Sequence, residues 1–228
     1  MLKNHRRTFL HALVLLGAMT IVFVAVGRHP AGEAPTTNVG FVGDADLAVH
    51  RALDDVRNVL VSGLARALNV LGGGLVTIPL RAVVGGWLAL RRRWRALAVW
   101  VLTWASAEVV LALAKDFFHR GRPAGPLVDI VGYSFPSGHA VAGASIAVAL
   151  VLVLLPAGSE RRRWEWLAVA FAFVMALSRV YLRAHWLSDV VAGVLLGTGL
   201  ALGVAATVTE VRHHVLRRWW PTPEPEAG

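Results

Sequence analysis

Apolar residues fall in this chain as long runs separated by short polar stretches, and that spacing constrains the fold more than any other feature. A run of about 20 apolar residues can cross a bilayer as a helix, and only helices or closed barrels satisfy their backbone there. The runs cover residues 8–27, 75–90, 96–114, 139–155, 164–182 and 185–208. They predict an all-α fold, a bundle of six transmembrane helices. The chain is 56% hydrophobic and only 16% charged, with mean hydropathy +0.59, too little charge for a soluble domain of 228 residues.

The first run follows Lys3, Arg6 and Arg7. It is longer than a signal-peptide core and no small-x-small cleavage site follows, so it reads as a retained first span. Residues 28–45 read as a loop. From 46 to 71 apolar residues recur at helical spacing (Val49, Leu53, Val56, Leu60, Leu64, Leu68, Leu71), with Arg51, Asp54, Asp55, Arg57 and Arg66 between them. This predicts one amphipathic helix between the first and second spans, lying in the membrane interface or packed on the bundle. Arg81 falls inside the second span, where it should face the bundle interior or snorkel, with no partner evident. Residues 1–220 read as a single membrane-embedded domain and the proline-rich 221–228 as a disordered tail.

The chain has no cysteine, which excludes disulfides, a thiolate nucleophile and cysteine metal sites. Its net charge of +9 sits in short clusters between spans, so nucleic acid is not an expected partner. No obligate protein partner is indicated. Short basic segments at the N-terminus, 91–95, 161–163 and 212–218 fall on one side of a six-span topology. By the positive-inside rule that side, with both termini, is cytoplasmic. The remaining polar segments then share the extracytoplasmic face of a cell membrane.

Those segments carry the chemistry. Lys115, Arg122 and Arg179 are cations suited to phosphate oxygens. Pro136-Ser137-Gly138-His139 opens the fourth span, placing a hydroxyl, a close-approach glycine and free N–H groups at a helix mouth. An ordinary Pro-Ser cap would explain Pro136 and Ser137 but not His139. His185 and Asp189 are spaced to share one helix face, where the carboxylate can fix the imidazole tautomer and leave the other nitrogen to attack. A structural His–Asp pair and snorkelling cations are the bland alternatives. His119 and Arg120 read as solvated loop positions, with contact to the substrate as the alternative. A zinc site is disfavoured because arginines surround the candidate ligands.

As an ordered set, Lys115-x6-Arg122-Pro123, Pro136-Ser137-Gly138-His139 and Ser178-Arg179-x5-His185-x3-Asp189 resemble the three motifs of the type 2 phosphatidic acid phosphatase superfamily, which also includes vanadium-dependent haloperoxidases. The flanks Ser134-Phe135 and Val190-Val-Ala-Gly193 are similar too. Gly121 and Arg183 depart from the residues frequent there. The resemblance implies that His185 is the nucleophile and forms a phosphohistidine, that Asp189 orients it, and that His139 protonates the leaving oxygen and then activates water. It implies that Lys115, Arg122, Ser137, Gly138 and Arg179 bind the phosphoryl oxygens, without metal or cofactor. The expected substrate is a lipid phosphate or diphosphate in the bilayer, such as polyprenyl diphosphate, phosphatidic acid or phosphatidylglycerol phosphate. A lipid phosphotransferase, a vanadate-dependent haloperoxidase and a non-enzymatic scaffold are the alternatives.

Overall fold

The computed structural model describes residues 2–26 and 41–219, with side chains at 8–26 and 41–211. Eight helices and no strands occur among these residues: α1 (Leu2–Val26), α2 (Phe41–Asp55), α3 (Val59–Gly72), α4 (Gly74–Leu90), α5 (Trp94–Phe118), α6 (Gly138–Leu154), α7 (Ser159–Tyr181) and α8 (Leu187–Trp219). The expected disordered tail, and most of the expected 28–45 loop, lie outside the described residues. Residues 41–45 are already helical.

Four helices are long and apolar enough to cross a membrane: α1, α5, α7 and α8. The pair α3 and α4 adds a fifth if its 43° bend is one broken span. The 17-residue α6 is apolar but shorter. The six expected spans therefore correspond to four clear spans, one bent pair and one short helix.

The single amphipathic helix expected over 46–71 is two helices. Val56, Arg57 and Asn58 break it, and the Asn58 side chain caps α3 by accepting the N–H of Val61 at 2.9 Å. The cap satisfies an orphan N–H that a continuous helix would not have. Both pieces pack on the bundle, α2 against α7 and α8, α3 against α6 and α7. A second difference lies at 159–163, expected as a basic loop. It is the first turn of α7, where Arg161 and Glu165 form an i,i+4 pair at 3.0 Å.

α6 runs through the middle, packed against α5, α7 and α8. Its crossing with α8 is close because glycines line the contact. A Cβ at Gly193 would stand 2.7 Å from that of Ala140, and one at Gly197 would stand 2.5 Å from the Val141 carbonyl. Small residues four apart on facing helices allow this approach. The crossing sets the start of α6 beside the start of α8, where Ser137 N–H donates to the Asp189 carbonyl at 3.1 Å. Two of the three motifs are thereby joined by backbone.

Arg81 also finds its partner. It reaches Glu108 of α5 at 2.6 Å, and Trp104 lies beside its guanidinium.

Candidate active site

The ends of α5, α6, α7 and α8 converge on a cavity of about 480 Å³. Lys115, Arg122, Gly138, His139, Arg179 and His185 all line it. A cavity of about 550 Å³ at the opposite helix ends is lined by Arg92, Arg93, Arg95 and Arg161, with no histidine or carboxylate among the described residues that line it.

His185 precedes α8 rather than lying within it, which corrects the expected placement of His185 on the same helix as Asp189; Asp189 is in the first turn of α8. Asp189 reaches back over the helix start and accepts the Trp186 N–H at 2.8 Å. His185 Nδ1 is 2.8 Å from the Ser134 carbonyl and 3.5 Å from Asp189 Oδ2. A carbonyl only accepts, so Nδ1 carries the proton and Nε2 keeps its lone pair, which accepts from Arg122. Asp189 is close but is not the first partner. Its carboxylate also accepts from the Ser134 hydroxyl and, at 2.5 Å, from Arg120.

Nε2 of His185 lies 3.3 Å from Arg122 Nη1. Burial pushes the His185 pKa down to about 4; Asp189 opposes that shift, and Arg122 and Arg179 add to it. The ring is therefore neutral at physiological pH, the form with a lone pair to donate.

The cradle cations differ from one another. Arg122 donates to the carbonyls of Val131, Gly132, Tyr133 and Ala184, at 2.7–3.2 Å. It fastens the loop as much as it lines the cavity. Burial lowers its pKa from the usual value. Lys115 gives one bond, to the Tyr133 carbonyl at 2.5 Å, and keeps its other donors. Arg179 bonds the Asn69 side chain through Nη1, while its buried Nε has no partner among the described residues. The buried Ser137 hydroxyl has none either. Unsatisfied buried polar atoms are uncommon in folded proteins; the Arg179 donor belongs to a residue lining the cationic cavity and the Ser137 hydroxyl lies behind its wall, an arrangement that suits an oxyanion ligand.

His139 stands on the first turn of α6, with Nε2 3.1 Å from the carbonyl of Asn69. Asn69 thus touches both His139 and Arg179 from the last turn of α3. The α3–α4 break lies against the same ring: a Cβ at Gly72 would stand 2.9 Å from His139.

All eight expected site residues meet around this cavity or its immediate wall, Asp189 and Ser137 from behind. Three residues were missed. Asn69 is the one uncharged polar side chain in an apolar helical turn. Arg120, expected in solvent, is 2% exposed and joins Asp46 to Asp189. Its position two residues before Arg122 was a signal. Asp46 carried none beyond an acidic residue on an amphipathic helix. Arg183, a departure from the family pattern, is paired with Asp54 of α2, which together with Arg57 holds the Asp54 carboxyl below its usual pKa.

Comparison with known proteins supplies the lineage. The PAP2 superfamily model matches residues 96–212. Phosphatidylglycerophosphatase B of Bacillus subtilis (strain 168) is 29% identical over 170 residues, which is 72% of this chain and 83% of that protein. The crystal structure of a transmembrane PAP2-type phosphatidylglycerolphosphate phosphatase from Bacillus subtilis superposes with a TM-score of 0.70 at 26% identity, covering 88% of this chain and 96% of the other. The structure of Aquifex aeolicus LpxE matches in fold, with a TM-score of 0.56 at 24% identity over 71% of this chain and 93% of that one.

Proposed function

The chain belongs to the PAP2 superfamily, and from that premise we propose that this multi-pass membrane phosphatase releases phosphate from a lipid phosphate or diphosphate through a phosphohistidine on His185. The observation that carries the proposal is the unprotonated Nε2 of a neutral His185, bonded by Arg122 at 3.3 Å and lining a cavity ringed by Lys115, Arg122 and Arg179.

The phosphoryl group sits among these cations, the Ser137 hydroxyl and the Gly138 N–H. Charge spreads over its equatorial oxygens in the transition state, and fixed donors stabilise it there. His185 Nε2 attacks phosphorus as the bond to the lipid oxygen breaks. His139 donates a proton to that leaving oxygen. The same ring then takes a proton from water, which attacks the phosphohistidine and frees phosphate. Asp189 and the Ser134 carbonyl hold the His185 ring while it bonds to phosphorus. Among the described residues no three carboxylates or histidines group in a way that would hold a metal ion.

Because the Bacillus subtilis relative and the Bacillus subtilis structure are both named for phosphatidylglycerophosphate, that lipid is the first substrate to try, with phosphatidic acid and polyprenyl diphosphate beside it. A site at helix ends lets the acyl chains stay in the bilayer while the headgroup enters. The arginine-rich ends opposite the cavity support an extracytoplasmic site and cytoplasmic termini. Phosphate release from this lipid panel in detergent, with His185→Ala as control, tests the function. Release from at least one lipid, abolished by His185→Ala, is expected; release from none, or turnover retained in His185→Ala, contradicts it.

A further inference from the structure

Arg120 and Asp46 touch no part of the cavity, yet they are tied to its nucleophile. The guanidinium of Arg120 divides between two carboxylates: Nη2 is 2.7 Å from Asp46 Oδ2 and Nη1 is 2.5 Å from Asp189 Oδ1. Ser188 joins the same groups. Its hydroxyl accepts from Arg120 at 2.7 Å and donates to Asp46 at 2.8 Å, and its N–H donates to Asp46 Oδ1 at 2.8 Å. All four side chains are buried. Asp46 stands on α2, outside the residues 96–212 that match the family.

Buried charges persist only when paired, and their net sum acts strongly on neighbours in a low dielectric. Two carboxylates and one guanidinium give this cluster one negative charge on the Nδ1 side of His185, opposing Arg122 at Nε2. Without Asp46, Arg120 and Asp189 would sum to zero, and Arg120 would be free to close on Asp189 with both nitrogens.

We propose that Asp46 is a positioning residue for phosphoryl transfer: it takes one end of the Arg120 guanidinium, so that Arg120 meets Asp189 through Nη1 alone, and it keeps one net negative charge in the cluster on the Nδ1 side of His185. The proposal rests on the phosphohistidine reading. When Nε2 forms its bond to phosphorus and the bond to the lipid oxygen breaks, the ring keeps its Nδ1 proton and becomes a cation. The leaving oxygen takes its proton from His139, so the new positive charge stays on His185. The residual negative charge of the cluster stabilises it.

Docking of α2 alone would also bury Asp46, so the test reads charge rather than folding. In Asp46→Asn, kcat on the lipid substrate falls roughly 10-fold or more while KM stays within about twofold. Asp46→Glu, which keeps the charge, recovers most of the loss. The double variant Asp46→Asn/Arg120→Gln restores the net charge, with Asp189 still bonded by the Ser134 hydroxyl and the Trp186 N–H. Its kcat stays within roughly 10-fold of the parent, and this arm remains informative if Asp46→Asn does not fold. Unchanged kcat in folded Asp46→Asn, a loss carried by KM, or a larger loss in the double variant overturns the proposal. Failure of the phosphohistidine reading shows separately, as turnover surviving in His185→Ala.

Discussion

The carbonyl oxygen of Ser134 accepts the Nδ1–H of His185 at 2.8 Å, while Asp189 Oδ2 lies 3.5 Å from the same nitrogen. The backbone, more than the carboxylate, sets the tautomer of the nucleophile. Asp189→Asn should therefore keep the proton on Nδ1, read by nitrogen NMR of labelled histidine. Its kcat should fall roughly 10²-fold, less than the ~10⁴-fold loss that follows when removal of a carboxylate flips the imidazole. A shift of the proton to Nε2 would contradict this.

His185 should titrate in the substrate-free protein near pH 4, well below an ordinary histidine, because burial disfavours its charged form. Unfolding exposes it and returns its pKa to about 6.5. Between those values the unfolded chain binds more protons, so this residue makes stability rise with pH from about 4 to 6.5 and fall as pH drops through that window. His50 is lowered in the same direction, chiefly by burial, and adds to the trend. A His185 resonance titrating at 6.5 or above would refute the assignment.

Arg122 and Arg179 should behave differently when neutralised. Arg122→Gln removes charged donors from four loop carbonyls and should cost about 2–3 kcal/mol of stability, seen as a lower melting temperature in detergent, as well as activity. Arg179→Gln leaves those carbonyls bonded. It should act mainly on phosphate binding, raising KM and weakening inhibition by orthovanadate. Equal thermal losses in the two variants would count against this division.

Much of this was legible in the sequence, for reasons of period and spacing. Long apolar runs mark helices because a bilayer leaves the backbone no other partners. The three motifs marked the cavity because each carries its groups within a few residues. What was not legible depends on contacts between distant segments. The kink at Asn58 hides inside an unbroken apolar period. Arg120 looked solvated because its partners, Asp46 and Asp189, lie more than 60 residues away on either side. Asn69 reaches His139 and Arg179 only once α3 has packed beside α7, which no local pattern announces.

The α6–α8 crossing gives a packing prediction remote from any charge. In Gly197→Val the new side chain would meet the Val141 carbonyl and Ala144, with little room to yield. Overpacking of this kind costs about 1–3 kcal/mol. Because the crossing aligns Ser137 with Asp189, activity should fall along with the melting temperature. Gly86→Ala, inside α4 with open space around it, should leave activity unchanged and raise the melting temperature slightly, because Ala favours the helix over Gly by about 0.5–1 kcal/mol.

The nucleophile is the centre of the account, and one labelling experiment reaches it directly. The protein is mixed briefly with a ³²P-labelled phosphoester carrying a good leaving group, then quenched in alkali, where phosphohistidine survives. The predicted result is an acid-labile label on His185 that is absent from His185→Ala and accumulates in His139→Ala, where water is no longer activated. Label on His139, or label persisting in His185→Ala, would contradict it.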